Sequence, residues 1–171
     1  QQIDANAAEH GNRIWLASPE NGRQVSFADG AAQIRDIAQH IANMGLPKGS
    51  SIAIASPNSI SACLTFMGIV YGGYVALPLN LVAGAKVLGY TLAHSKAALI
   101  FVQSDCQDMI QEAMQEAKST ANTCPLDLND GPQWLENSPA KSKPNAPIDN
   151  PNADSIGVLM YTSGTTGNPK G

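Results

Sequence analysis

Residues 161–171 read Tyr161-Thr162-Ser163-Gly164-Thr165-Thr166-Gly167-Asn168-Pro169-Lys170-Gly171, a set of groups suited to anionic oxygen. Gly164 and Gly167 lack a Cβ, so the backbone there can take positive φ and turn successive N–H groups into one concavity. Thr162, Ser163, Thr165 and Thr166 add hydroxyls able to donate to a phosphate oxygen or to approach a Mg2+ ion. Lys170 supplies a mobile positive charge, and Pro169 stiffens the chain just before it. Phosphate is the ligand this set fits best.

The stretch is neither a Walker A loop nor a GxGxxG turn. Five residues on from Gly164 stands Pro169, where a Walker A loop has the glycine that precedes Lys-Ser/Thr. By composition alone a flexible Ser/Gly/Thr tail is the favoured reading. What ties it to a fold is the run 156–161, short, apolar and preceded by Asp154. That run predicts a buried strand delivering the loop at its carboxyl end, where open α/β sheets bind ligands.

The elements that would hold such a loop are visible upstream. Residues 14–17 form a short apolar run closed by Pro19 and Asn21-Gly22, an edge strand and turn. Ser26-Phe27-Ala28-Asp29 has capping-box spacing, and a helix over 27–44 puts Ala31, Ile34, Ile37, Ala38 and Ile41 on one stripe before Gly45 and Pro47. A strand over 51–55 follows. Pro57-Asn58-Ser59 caps a helix over 59–71 that is apolar nearly all round, as expected of one sandwiched between layers. Next come a strand over 74–77, a helix over 85–94 facing Val87, Leu88 and Leu92 inward, and a strand over 97–102. A helix from Ser104-Asp105 carries Met109, Ile110, Ala113, Met114 and Ala117; its methionines read as core filling. Strands alternating with helices predict right-handed βαβ crossovers and an α/β domain with a mainly parallel sheet flanked by helices.

Residues 127–154 differ in character. Pro132, Pro139, Pro144, Pro147 and Pro151 interrupt a polar segment that reads as a surface loop, with Trp134-Leu135 pinning it to the domain.

Composition narrows the function classes. A chain of 171 residues has room for one domain with a core, and a net charge of −4 gives no basic footprint for nucleic acid or anionic lipid. No charged side chain stands between Lys48 and Lys86, yet Gly72-Gly73, Pro78 and Asn80 divide that span into helix-length and strand-length pieces rather than a transmembrane helix. Cys63, Cys106 and Cys124 show no CxxC spacing and read as free thiols in a reducing cytoplasm. His10, His40 and His94 show no metal-ligand spacing and read as ordinary surface or partly buried residues.

The order of residues 161–171 resembles the phosphate-binding signature of the adenylate-forming enzymes, the superfamily of acyl-CoA synthetases, insect luciferases and nonribosomal peptide synthetase adenylation domains. The likeness extends upstream in family order, through Val25-Ser26-Phe27, Met44-Gly45-Leu46-Pro47-Lys48-Gly49, Ser56-Pro57-Asn58, and Gly73 followed by Pro78-Leu79-Asn80. It implies the amino-terminal subdomain of a larger enzyme that condenses a carboxylate with Mg2+ and ATP to an acyl-adenylate, then passes the acyl group to a thiol. ATP, Mg2+ and coenzyme A are the implied cofactors; a small-molecule carboxylate and a thiol acceptor, CoA or a carrier protein, are the implied partners. The resemblance gives Thr162, Ser163, Gly164, Thr165, Thr166, Gly167 and Lys170 the β- and γ-phosphates. Thr165 and Met160 lean toward acyl- or aryl-CoA synthetases. In that superfamily the adenine contacts, the acyl pocket, the acidic Mg2+ ligand and a late catalytic lysine lie downstream of this loop. Residues 1–171 are therefore expected to be a truncated amino-terminal part without ligase activity of its own. Two other readings stand beside this one: a non-catalytic α/β module that binds phosphate or a partner, and an adenylation domain directed at a carrier protein.

Overall fold

Period decides which stretches become which elements. The computed structural model describes residues 2–134, 146–148, 151–152, 154–162 and 169–171. A helix, α1 (Gln2–His10), precedes a hairpin of β1 (Ile14–Ala17) and β2 (Gln24–Ser26), which runs directly into α2 (Phe27–Asn43). Then come β3 (Ser51–Ala55), α3 (Ile60–Tyr71), β4 (Val75–Pro78), α4 (Ala85–Ser95) and β5 (Leu99–Val102). A single 3-10 turn (Ser104–Cys106) opens α5 (Gln107–Glu116), and β6 (Asn122–Asp127) and β7 (Gly131–Pro132) close the series.

The main sheet has the order β4-β3-β5-β6-β7, with β3–β4, β3–β5 and β5–β6 parallel and only β6–β7 antiparallel. The mixed α/β fold and mainly parallel sheet read from the sequence are thus present. Successive side chains of a strand point to opposite faces. Ile52, Ile54, Leu99 and Phe101 accordingly join the core under α2 and α3, while Ala53, Ala55, Ile100 and Val102 join the one under α4 and α5. All five residues of β3 are buried, as a central parallel strand covered on both faces requires. Each fully buried Ile, Leu or Phe contributes about 1.5–3 kcal/mol, so these two layers outweigh a surface pair such as Arg35–Asp4, worth at most about 1 kcal/mol.

Local signals set the ends of the helices. The Ser26 hydroxyl accepts from the Asp29 N–H at 3.1 Å and donates to the Asp29 carboxylate at 2.7 Å, capping α2. Ser59 caps α3 by accepting from the Ala62 N–H at 3.0 Å. Ala31, Ile34, Ile37, Ala38 and Ile41 are all buried, the stripe that the sequence predicts. Met109 and Met114 pack, partly buried, against the second core layer.

Four features depart from the sequence reading. Helix α1 has no apolar stripe to announce it; it docks through Ile3 and through Asp4, which accepts from Arg35 at 2.8 Å and from the Tyr71 hydroxyl at 3.2 Å. β6 carries Pro125 and buries only Cys124 and Leu126, too faint a pattern to read as a strand. The segment expected to be a surface loop from Asp127 onward begins inside the β6–β7 hairpin. Its Trp134 stacks on His40 at 4.6 Å and meets Phe101 edge-on at 5.7 Å, so it is anchored into the first core layer; Leu135 lies outside the described residues.

The fourth departure concerns the run before the loop. Residues 156–161 are not a buried strand. They lie extended along the outer edge of β4, joined by one parallel bridge between Val158 and Ala76. Exposure alternates, with Ile156 at 72%, Val158 at 40% and Met160 at 67%, while Gly157, Leu159 and Tyr161 turn toward the protein. The reason is that only one face of this edge segment is covered: Leu159 and Tyr161 pack on the second core layer, and the residues alternating with them point the other way.

Candidate functional site

Two backbone hydrogen bonds bring the edge segment to the sheet: Ala76 N–H donates to the Gly157 carbonyl and Leu159 N–H to the Ala76 carbonyl, both at 2.9 Å. Because the bridge is parallel, the chain beyond Leu159 heads in the direction of the carboxyl ends of β3, β4 and β5. That is the side on which open α/β sheets receive ligands.

Thr162 and Lys170 close the base of the loop between them. Thr162 N–H donates to the Lys170 carbonyl at 3.0 Å, and Lys170 N–H donates to the Thr162 carbonyl at 3.2 Å, a mutual antiparallel pair. Both residues are exposed, and Lys170 makes no ion pair among the described residues. The sequence-predicted residues Ser163, Gly164, Thr165, Thr166 and Gly167 lie outside the described residues. Of the expected set, the structure therefore brings together Thr162 and Lys170.

Beneath this closure lies Tyr161, half-buried against the second core layer. Its hydroxyl oxygen is 2.6 Å from Nδ1 of His94, near the end of α4, and the two rings meet edge-on at 5.7 Å. Tyr90, one turn earlier on α4, stacks on His94 at 5.6 Å. Burial first, and the neighbouring Tyr90 second, hold the Tyr161 phenol above its ordinary value, so it keeps its proton. Gly171 packs on the same ring: a Cβ added there would lie 2.7 Å from Cζ of Tyr161. Neither His94 nor Tyr90 is marked as part of this site by sequence spacing, since 67 positions separate His94 from Tyr161.

A groove of about 610 Å3 opens elsewhere, between α5 and the uncovered face of β6. Gln103, Gln107, Gln111, Pro125 and Asp127 line it, and none of the described residues of 161–171 does. Asp127 is engaged there by the N–H groups of Asn129 and Asp130, at 2.7 and 2.9 Å. The groove exists because α5 is the last helix on that face, and it gathers no reactive set. We therefore place the candidate site at the loop and not at the larger opening. Among the described residues, no cluster of three or more His, Cys, Asp or Glu is assembled and no helix is long and apolar enough to cross a membrane.

Comparison with known proteins identifies the family and the fold. The profile of the AMP-binding enzyme family matches residues 3–171. A sulfoacetate–CoA ligase of Cupriavidus necator is 33% identical over 172 residues, 99% of this chain and 33% of that protein. A linear gramicidin synthase of Brevibacillus parabrevis is 26% identical over 165 residues, 96% of this chain and 2% of that protein. Among solved structures, an anthranilate–CoA ligase in complex with anthranoyl-AMP superposes with a TM-score of 0.81 at 21% identity, over 98% of this chain and 32% of that one, a likeness of fold. The chain spans about a third of the length of the sulfoacetate–CoA ligase that it matches.

Proposed function

This chain belongs to the AMP-binding enzyme family, and on that footing we propose that the protein carrying it is an ATP-dependent ligase joining a carboxylate to a thiol. The carboxylate attacks the α-phosphorus of ATP, an acyl-adenylate forms as pyrophosphate leaves, and the acyl group then passes to the thiol. The observation that carries this reading is the mutual pair between Thr162 and Lys170, which closes a hydroxyl- and glycine-rich loop beside β4.

In this reading Thr162, Ser163, Gly164, Thr165, Thr166, Gly167 and Lys170 hold the β- and γ-phosphates. Backbone N–H groups and hydroxyls orient the oxygens so that the α-phosphorus faces the carboxylate in line, and the Lys170 ammonium balances charge on the departing pyrophosphate. The residues present suit the nucleotide: the described ends of the loop offer an exposed hydroxyl and an exposed ammonium, and no carboxylate of the loop opposes a polyphosphate. Mg2+, when bound, neutralises phosphate charge, and hydroxyl oxygens such as that of Thr162 are the hard donors it takes. Coenzyme A is the acceptor we favour, since a CoA ligase matches at 33% identity over nearly the whole chain. A carrier-protein acceptor is the second reading, favoured by the match to the linear gramicidin synthase. The free thiols Cys63, Cys106 and Cys124 suit a cytoplasmic enzyme.

Pyrophosphate release from ATP in the presence of a panel of carboxylates tests the proposal on the whole protein. Carboxylate-dependent release that falls at least roughly tenfold in kcat/KM for ATP with Lys170→Ala is expected, as for loss of one charge-assisted contact. No release with any acid, or release indifferent to Lys170, would remove the loop from the mechanism. Residues 1–171 by themselves are expected to release none, because they match only a third of the sulfoacetate–CoA ligase; turnover by that span would overturn this part.

A further inference from the structure

The residues next to the loop's described ends meet at one aromatic ring, and that ring is held from outside the loop. Tyr161 precedes Thr162 directly, and Gly171 follows Lys170 directly, so both residues of the closing pair are flanked by groups touching the same phenol. Gly171 lies close against this ring: an added Cβ would come within 2.7 Å of Cζ and 2.9 Å of both Cε atoms. The ring's far end meets Nδ1 of His94 at 2.6 Å. Tyr90 stacks on the imidazole at 5.6 Å. Helix α4 is itself fixed by buried Leu88 and Leu92. A chain of contacts thus runs from Tyr90 through the exposed His94 to Tyr161, which packs on the second core layer at the base of the loop.

We propose that His94 is a positioning residue for the nucleotide: by fixing Tyr161 it sets the height and tilt of the Thr162–Lys170 closure, and through it the reach of Lys170 toward the phosphates. This rests on the phosphate-binding reading of the loop. The physical ground is preorganisation: a contact group held in place before the ligand arrives costs less to order on binding, and a fixed Tyr161 holds the Thr162–Lys170 pair in that way. The Tyr161 phenol keeps its proton and is a competent donor to Nδ1. Gly171 follows from the same arrangement, because any side chain there would lift the strand end off the ring.

Two substitutions separate ring from hydrogen bond. His94→Phe keeps an aromatic surface for Tyr90 and loses the bond to Tyr161; His94→Asn loses the ring and keeps a polar atom where Nδ1 stands. In the whole protein, His94→Phe and Tyr161→Phe are each expected to raise KM for ATP by roughly tenfold, the scale of one lost hydrogen bond, and to leave KM for the carboxylate unchanged. The double substitution is expected to be no worse than either single one, and His94→Asn to restore most of the loss. A purely structural role would instead lower the thermal midpoint, with both KM values moving together. Lys170→Ala, measured beside them, keeps the two claims apart. If Lys170→Ala raises KM for ATP and His94→Phe does not, the positioning role fails alone. If neither changes it, the phosphate reading and the positioning role both fall.

Discussion

The ammonium of Lys48 donates to the carbonyl of Gly72 at 2.9 Å and lies 5.0 Å from the centroid of the Tyr74 ring. One residue from the α2–β3 connection thereby closes the carboxyl end of α3, where unpaired carbonyls and the helix dipole both favour a cation. Residues 44–49 thus have a structural use in this chain, through a contact that spans 24 positions.

Lys48→Met keeps the aliphatic stem over Tyr74 and removes the charge. It is expected to cost about 1 kcal/mol, the sum of a modest cap and an exposed cation–π contact. A urea unfolding midpoint indistinguishable from wild type would show that the contact contributes nothing.

Gly68 sets how closely α2 and α3 approach. A Cβ there would lie 2.6 Å from Cγ2 and 2.8 Å from Cβ of Ile37, atoms of a stiff side chain that cannot swing aside. Alanine is the better helix former by about 1 kcal/mol, yet overpacking costs about 1–3 kcal/mol, so Gly68→Ala is expected to destabilise on balance. A raised melting temperature would reverse the sign and refute the close-contact account.

Thr65 is fully buried on the same helix, and its hydroxyl has no hydrogen-bond partner among the described residues. Thr65→Val replaces that hydroxyl with a methyl group of like shape. The expected gain is about 1 kcal/mol, the penalty of an unsatisfied buried group. Loss of stability in the valine variant would mean that the hydroxyl is satisfied in solution.

Burial pushes the Cys124 thiol from its ordinary 9.0 up to about 12, against the smaller opposing effect of a backbone hydrogen bond from Gln133. The folded chain then holds a proton that the unfolded chain releases. This contribution is fully present below pH 9.0 and is lost progressively as the pH rises toward about 12. Urea midpoints at about pH 8 and about pH 10.5 should fall less steeply in Cys124→Ala than in wild type. Parallel slopes would show that the thiol titrates alike in both states. The same burial predicts that Cys63, only half-buried, is alkylated before Cys124.

Most of the fold was legible because most of its elements announce themselves locally. The stripe from Ala31 to Ile41 has helical period, Ser26 and Ser59 sit at cap positions, and β1 and β3 are apolar runs bounded by turns. The superfamily was legible from the order of Thr162 to Gly171 and its upstream landmarks, which depend on residue identity and not on packing. What failed to show were elements whose signal is weak on their own. α1 is held by partners on α2 and α3, and β6 exists because β5 offers it an edge.

The sequence by itself determined the chemistry on offer at residues 161–171 and the alternating strands and helices that lead to it, because spacing and side-chain type act over a few residues. Only the tertiary structure decided that 156–161 lies half-covered on the rim of β4, since burial depends on what lies beside a strand. It alone decided that His94 would stand 2.6 Å from Tyr161, because a hydrogen bond across 67 positions is made by packing α4 against the sheet and leaves no mark in local order.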